Sequence, residues 1–187
     1  QQRAGMLHHV FSHGQNLGQQ RFTHHQRDIA GDGVTGADVG IQLVFGRNAP
    51  GNFGRLMSAV ANGLILPLGA IHNQRSFVGL DNLIDFIVTC IFHPAAANQT
   101  FLISDGVDVS TTDLVRRMGL VVGRPARLIP LPVSVLVAGA ALLGKRAMAR
   151  RLCDSLQVDI SKARLLLGWS PPVSMDEGLR RAAGPRD

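Results

Sequence analysis

Arg75 is the residue of this chain whose type and surroundings are best suited to chemistry. It follows an apolar run with glycine and proline, residues 63–71, which turns at Gly69. It precedes a short strand-like triplet, Ser76-Phe77-Val78, which Gly79 is expected to break, and Asp81 is placed to cap a helix reaching about Phe92. A guanidinium ahead of a strand, a turn and a helix can hold an anionic ligand, because its planar fork of N–H donors matches phosphate oxygens. An ion pair to Asp81 or Asp85 would account for the same cation structurally. Ligand contact is the preferred reading.

Other chemistry-bearing residues are less persuasive. His9 and His13 stand four apart, as zinc-binding pairs do on a helix, but no glutamate lies between them and the local helix propensity is poor. An exposed, fortuitous cluster is the simpler account. Gly31-Asp32-Gly33-Val34-Thr35-Gly36 imitates a phosphate-binding loop without the preceding strand or following helix that the fingerprint requires. Cys90 and Cys153 form no motif and are expected to be free, buried thiols of a reducing cytoplasm. Asp81, Asp85 and Lys162 are expected to be cap or surface residues. The chain has no tyrosine, and Glu177 is its one glutamate.

The elements that must position these groups follow from pattern. The 187 residues, 45% hydrophobic and 17% charged, suffice for a domain with a real core. Residues 1–38 hold five of the seven histidines and show no sustained apolar period. Composition changes near Ile41, which divides the chain into an irregular segment, 1–40, and a folded part, 41–187. In the folded part the residues predict a strand over 41–45 and a helix over about 53–61. The apolar face of that helix would be Phe53, Leu56, Met57 and Val60, and Gly63 would end it. A strand over 100–104 follows, then a helix over about 111–119 capped by Ser110 with Asp113. The apolar run 129–144 is too short to cross a bilayer and is expected to be a buried helix. A basic helix over 146–152 comes next, then one capped by Ser161 and stopped at Gly168, with Trp169 packed beyond it. Ser174 to Glu177 form a capping box for a last helix over 175–183. Short strands alternating with amphipathic helices make an α/β pattern with a helical tail.

Charge is uneven. From Leu114 onward there are thirteen Lys and Arg against five Asp and Glu. Such a surface could attract nucleic acid or anionic lipid. With only Trp169 available for stacking there, a solvated face is the simpler reading, and neither nucleic acid nor membrane is expected as a partner.

Seven stretches in order carry a resemblance: Leu43-Val44-Phe45-Gly46; Gly51-Asn52-Phe53; Leu66-Pro67-Leu68-Gly69; Arg75 to Val78 with Asp81-Asn82-Leu83; Phe101 to Gly106; Asp159 to Ala163 with Leu167-Gly168-Trp169; and Ser174 to Leu179. Together they resemble the C-terminal half of the extended short-chain dehydrogenase/reductases, in particular the NAD-dependent nucleotide-sugar epimerases and reductases of UDP-glucose 4-epimerase type. The resemblance covers about 43–183. It implies an incomplete Rossmann-type sheet, its C-terminal strands, beside a mainly helical substrate-binding lobe. It also implies site roles. Asn52 would contact the sugar diphosphate, Leu66 and Leu68 would hold uracil through their backbone, and Arg75 would grip the diphosphate. Arg151 and Asp154 would serve as a second arginine and a ribose-binding acid.

The chain departs from that family where hydride and proton move. The family's acid/base pair is Tyr-x-x-x-Lys, and a chain without tyrosine has no residue for that step. The glycine-rich NAD(P) fingerprint is missing as well. A shifted reading frame over residues 1–40 would account for both the composition change and the lost pair. The expected protein is thus a truncated, inactive, cytoplasmic epimerase/reductase homologue that retains weak UDP-sugar binding, with a homodimer partner or a complementing N-terminal fragment. The competing expectation is a non-catalytic basic module that binds a protein or an anionic surface.

Overall fold

A computed structural model describes residues 38–40, 43–47 and 51–184. The histidine pair at 9 and 13, the glycine run at 31–36 and the suspected frame change lie outside the described residues. Everything described belongs to one compact unit, Gly36–Asp187.

The architecture is mixed α/β, with short strands in pairs and seven α-helices among the described residues. Strand β1 (Asp38–Gly40) runs parallel to β6 (Thr100–Leu102), and β2 (Val44–Phe45) parallel to β5 (Val78–Gly79). β3 (Ile65–Leu66) runs parallel to β8 (Arg127–Leu128), while β4 (Arg75–Ser76) is antiparallel to β7 (Asp108–Val109). Gly79 therefore pairs within a strand instead of breaking one. A Cβ there would make ordinary contacts with Phe45 and the Asp105 carboxylate at 3.5 and 3.6 Å, so the space does not require a glycine.

Helix α1 (Asn52–Ala61) buries Val60 and lays Phe53, Leu56 and Met57 against the core, as its apolar spacing predicts. Gly63 at φ 67° ends it, with the Leu64 N–H returning to the Ala59 carbonyl at 3.0 Å. α2 (Leu80–Phe92) starts one residue earlier than expected and its N-cap is Gly79, not Asp81. Asp81 instead lies in the first turn, where a carboxylate still complements the helix dipole. α3 (Thr111–Val122) carries the expected cap: Ser110 Oγ accepts from the Asp113 N–H at 3.0 Å. α6 (Ser161–Leu167) is started differently from the expectation, since Asp159 Oδ1 accepts the Ser161 N–H at 2.8 Å and Ser161 makes no cap bond. α7 (Met175–Ala183) has its Ser174 cap.

Two apolar clusters hold these elements. One gathers Phe45, Val60, Ile71, Val115, Met118 and Leu179. The other centres on Phe86, whose ring meets Trp169 at 4.8 Å and Phe101 at 5.7 Å, both edge-on. Trp169 also donates from Nε1 to Asp85 Oδ2 at 2.8 Å.

The apolar run behaves otherwise than expected. α4 (Val133–Leu142) has no buried residue, and Leu142 at its end is 90% exposed. It packs against α5 (Arg146–Cys153) and reaches the core through Leu136. A helix apolar all round cannot hide every face against one neighbour. Cys90 and Cys153 are free but half-buried, not buried.

Candidate functional site

The site is built where residues 73–76 meet residues 151–158. Arg75 forms an isolated parallel bridge with Leu156. Around that bridge the Leu156 N–H donates to the Gln74 carbonyl at 2.8 Å, and the Ser76 N–H to the Leu156 carbonyl at 2.9 Å. The C-terminal end of α5 is thereby stitched to the strand that carries Arg75. Sequence separations near eighty make this contact invisible to any local pattern.

Asn73 anchors the stitching. Its Nδ2 donates to the carbonyls of Leu152 at 3.1 Å and Asp154 at 2.9 Å, and its Oδ1 accepts the Thr111 N–H at 2.8 Å. Thr111 Oγ1 closes the loop on the Leu152 carbonyl at 2.6 Å. Asn73 is buried, and these three bonds all run to backbone groups. Sequence reasoning missed it because an asparagine before Gln-Arg gives no signal on its own.

Arg75 is half-buried. Nη1 donates to the Arg151 carbonyl, and Nε is buried with no hydrogen-bond partner. No carboxylate lies within ion-pair distance of it among the described residues. Asp81 pairs with Arg181 at 2.7 Å, and Asp85 is engaged by Trp169. Neither ion pair that would have made Arg75 structural is formed. Burial works against the Arg75 charge and lowers its pKa, with Asp154 and Cys153 opposing that shift from a distance. Cys153 is pushed up, chiefly by burial and then by Asp154. A guanidinium placed this way has donors to offer and no anion to receive them.

The structure brings Arg75, Arg151 and Asp154 together. Leu66 and Leu68 lie on the segment leading to them. The Leu66 carbonyl accepts the Ile129 N–H at 2.9 Å, and the Leu68 carbonyl accepts Thr112 Oγ1 at 2.6 Å. Thr112 Oγ1 also accepts the Ile71 N–H at 3.0 Å, so one hydroxyl sets the course of residues 68–71. Asn52 opens α1 half-buried, and among the described residues no hydrogen bond links it to the others. Lys162 is half-buried, with Nζ on the Thr100 carbonyl at 2.9 Å and over the Phe101 ring.

A second polar centre escaped the sequence. Asp105 Oδ1 accepts from the Gly79 N–H at 2.9 Å and from Asn82 Nδ2 at 2.7 Å. Asn82 exchanges two further bonds with the Val173 backbone. Asp105 Oδ2 is buried without a partner, and burial raises the carboxyl pKa against the two hydrogen bonds. A cleft of about 110 Å³ lies nearby, lined in part by Arg47, Gly79, Asp81, Asn82 and Arg181; Arg75 is not in its lining. Of its two arginines, Arg181 is served already, since it holds both Asp81 and Glu177.

Comparison with known proteins places this arrangement. The chain is 44% identical over 142 residues to the UDP-glucose 4-epimerase of Vibrio cholerae, covering 75% of this chain and 43% of that relative. The chain fits the C-terminal part of an epimerase of the short-chain dehydrogenase/reductase family. The epimerase fold is found again in solved structures. UDP-glucose 4-epimerase of Thermotoga maritima, solved with UDP-glucose, superposes with a TM-score of 0.55 at 18% identity, covering 78% of this chain and 43% of that one. The Bordetella bronchiseptica enzyme WbmF, solved with NAD+ and UDP, superposes at 0.53 with 21% identity, covering 78% and 44%. No family model matches the chain. The chain thus spans less than half the length of these epimerases.

No described sheet exceeds two strands, and no described strand leads through a G-x-G-x-x-G turn into a helix. The sequence holds no tyrosine to serve a nicotinamide.

Proposed function

We propose that this chain is the nucleotide-sugar side of an epimerase or 4-reductase, with Arg75 as the diphosphate ligand. The observation that carries the reading is a half-buried guanidinium whose Nε has no partner and which has no described carboxylate within ion-pair distance, Asp154 acting on it only from further off. An anionic ligand supplies what the protein withholds, and a bidentate fork suits two phosphate oxygens. Arg151, exposed and one bond away through its own carbonyl, adds a second positive charge to the same place. On this reading Asp154 accepts from a ribose hydroxyl, and the held segment at Leu66 and Leu68 borders a uracil. Asn52 completes the set on the diphosphate.

What these residues do is bind and orient. Catalysis in such a family needs hydride exchange with a nicotinamide and a proton carrier at the sugar hydroxyl, and this chain's residues supply neither. The reading is therefore of a UDP-sugar-binding chain that is inactive alone. A separate N-terminal fragment is the partner through which it would regain a cofactor; a second copy, lacking the same parts, would form a homodimer without one.

Calorimetry of the full chain with UDP and UDP-GlcNAc at millimolar concentration tests the reading. Heat of binding to both, lost on Arg75→Met, supports it. No binding to either, or unchanged binding by the variant, removes it.

A further inference from the structure

Helix α4 is apolar on every side, yet only α5 and the contact through Leu136 cover it. From Ile129 to Gly144 the chain carries no charge, and in the described structure no residue of Val133–Leu142 is buried. Ile129, Val135, Leu142 and Leu143 are exposed, the last two at 90% and 74%. A globular surface seldom leaves such a group to water without a partner for it.

The surroundings of the helix say which partner. Gly144, at φ 68°, turns the chain directly into Lys145 and Arg146, and Arg150 and Arg151 follow on α5; all four cations are exposed. Between Leu114 and Cys153 there are eight Lys and Arg and no Asp or Glu. Both chain flanks of the apolar run are positive, Arg124 and Arg127 before it and Lys145 and Arg146 after it, and the next acid is Asp154 at the far end of α5. A partner protein could match the apolar part, but an apolar surface bordered by these cations matches a bilayer with anionic headgroups on both counts. α4 has ten residues, ~15 Å of helix at 1.5 Å per residue, about half the hydrocarbon thickness. No described helix is long and apolar enough to cross a membrane. A short apolar helix ending in a basic turn lies in the interface and does not span it.

We infer that the α4–α5 hairpin docks this protein onto anionic lipid, with Leu142 and Leu143 in the acyl boundary and Lys145 and Arg146 on the headgroups. This departs from two sequence expectations, that the basic surface is a solvated face with no membrane partner and that the run over 129–144 is a buried helix.

The test is co-sedimentation of the full chain with vesicles of phosphatidylcholine, alone and mixed with phosphatidylglycerol. The chain should partition onto the mixed vesicles and not onto phosphatidylcholine. Raising the salt should weaken the partition, and Leu142→Asp with Leu143→Asp should lower it about tenfold or more. A Leu142→Trp variant gives a second reading that does not depend on removing apolar surface. Its emission should be quenched by brominated phosphatidylglycerol, above the background from the buried Trp169. Three results would overturn the inference. One is no partition onto either vesicle. Another is partition that the aspartates leave unchanged while the introduced tryptophan stays unquenched, which is adsorption by charge alone. The third is a self-associated chain in sedimentation equilibrium that the aspartates make monomeric, which assigns the face to a second copy.

Discussion

Asn73 holds the main-chain carbonyl of Asp154 at 2.9 Å, and with that bond it fixes the distance between the Arg75 strand and the end of α5. The Leu152 carbonyl and the Thr111 N–H share the same side chain. One buried amide thus joins three segments far apart in sequence, and the candidate phosphate site exists where they join.

Asn73→Ala should therefore loosen the site as well as the fold. Three backbone groups lose this partner, the buried Thr111 N–H and the part-buried carbonyls of Leu152 and Asp154, a loss of about 1–3 kcal/mol. Urea unfolding should show the shift in midpoint. Asn73→Asp should also destabilise, since a carboxylate cannot donate to the two carbonyls. A variant of wild-type stability would show that the network contributes nothing.

Arg75→Met should act on stability and binding in opposite directions. Removing a half-buried cation without a carboxylate should leave the ligand-free chain as stable as before or more so, by about 1 kcal/mol. UDP affinity should fall by about 1.5–3 kcal/mol, the worth of hydrogen bonds to a charged group. Arg75→Lys keeps the charge but not the fork and should fall between the two. Paired thermal melts and calorimetry separate the effects; loss of stability without loss of affinity would make Arg75 a structural residue.

Asp105 should show itself in pH dependence. Burial raises its carboxyl pKa in the folded chain, with Asn82 and Gly79 only partly opposing. As pH rises past the ordinary carboxylate value of about 4, the unfolded chain releases this proton first. The contribution of Asp105 to stability must then decline until its folded pKa is passed, and be constant above it. Asp105→Asn can still accept both hydrogen bonds through its amide oxygen. The difference in urea midpoint between wild type and this variant should follow that decline, which cancels the other carboxylates. A flat difference would mean that the carboxyl is not shifted.

Gly119 in α3 faces the returning chain. A Cβ there would lie 2.6 Å from the Ala126 nitrogen and 2.9 Å from the Arg124 carbonyl oxygen, both backbone atoms. Gly119→Ala should gain helix propensity yet lose about 1–3 kcal/mol through the forced displacement. An unchanged melting temperature would contradict the packing of residues 123–126 against the helix.

Thr112→Val tests the hydroxyl that holds residues 68–71. The isosteric change strands the Ile71 N–H and removes the bond to the Leu68 carbonyl. A loss of about 1–3 kcal/mol is expected, read as a lower urea midpoint.

The local devices were legible in the residues alone. Ser110 and Ser174 cap the helices they precede, Gly63 and Gly168 end others in the left-handed region, and α1 turns its apolar side inward. These depend on neighbours within four residues, and a sequence displays such neighbours. Four expectations failed for the complementary reason. Asp81 spends its charge on Arg181 across the fold, Ser161 yields its cap to Asp159, Gly79 is drawn into pairing with Phe45, and α4 buries no residue. The seven ordered stretches pointed to the family, and the 44% identity to the Vibrio cholerae epimerase bears that out. Only the tertiary structure decided that Arg75 goes without a carboxylate, since that depends on where Asp81, Asp85 and Asp154 come to rest once the chain has packed.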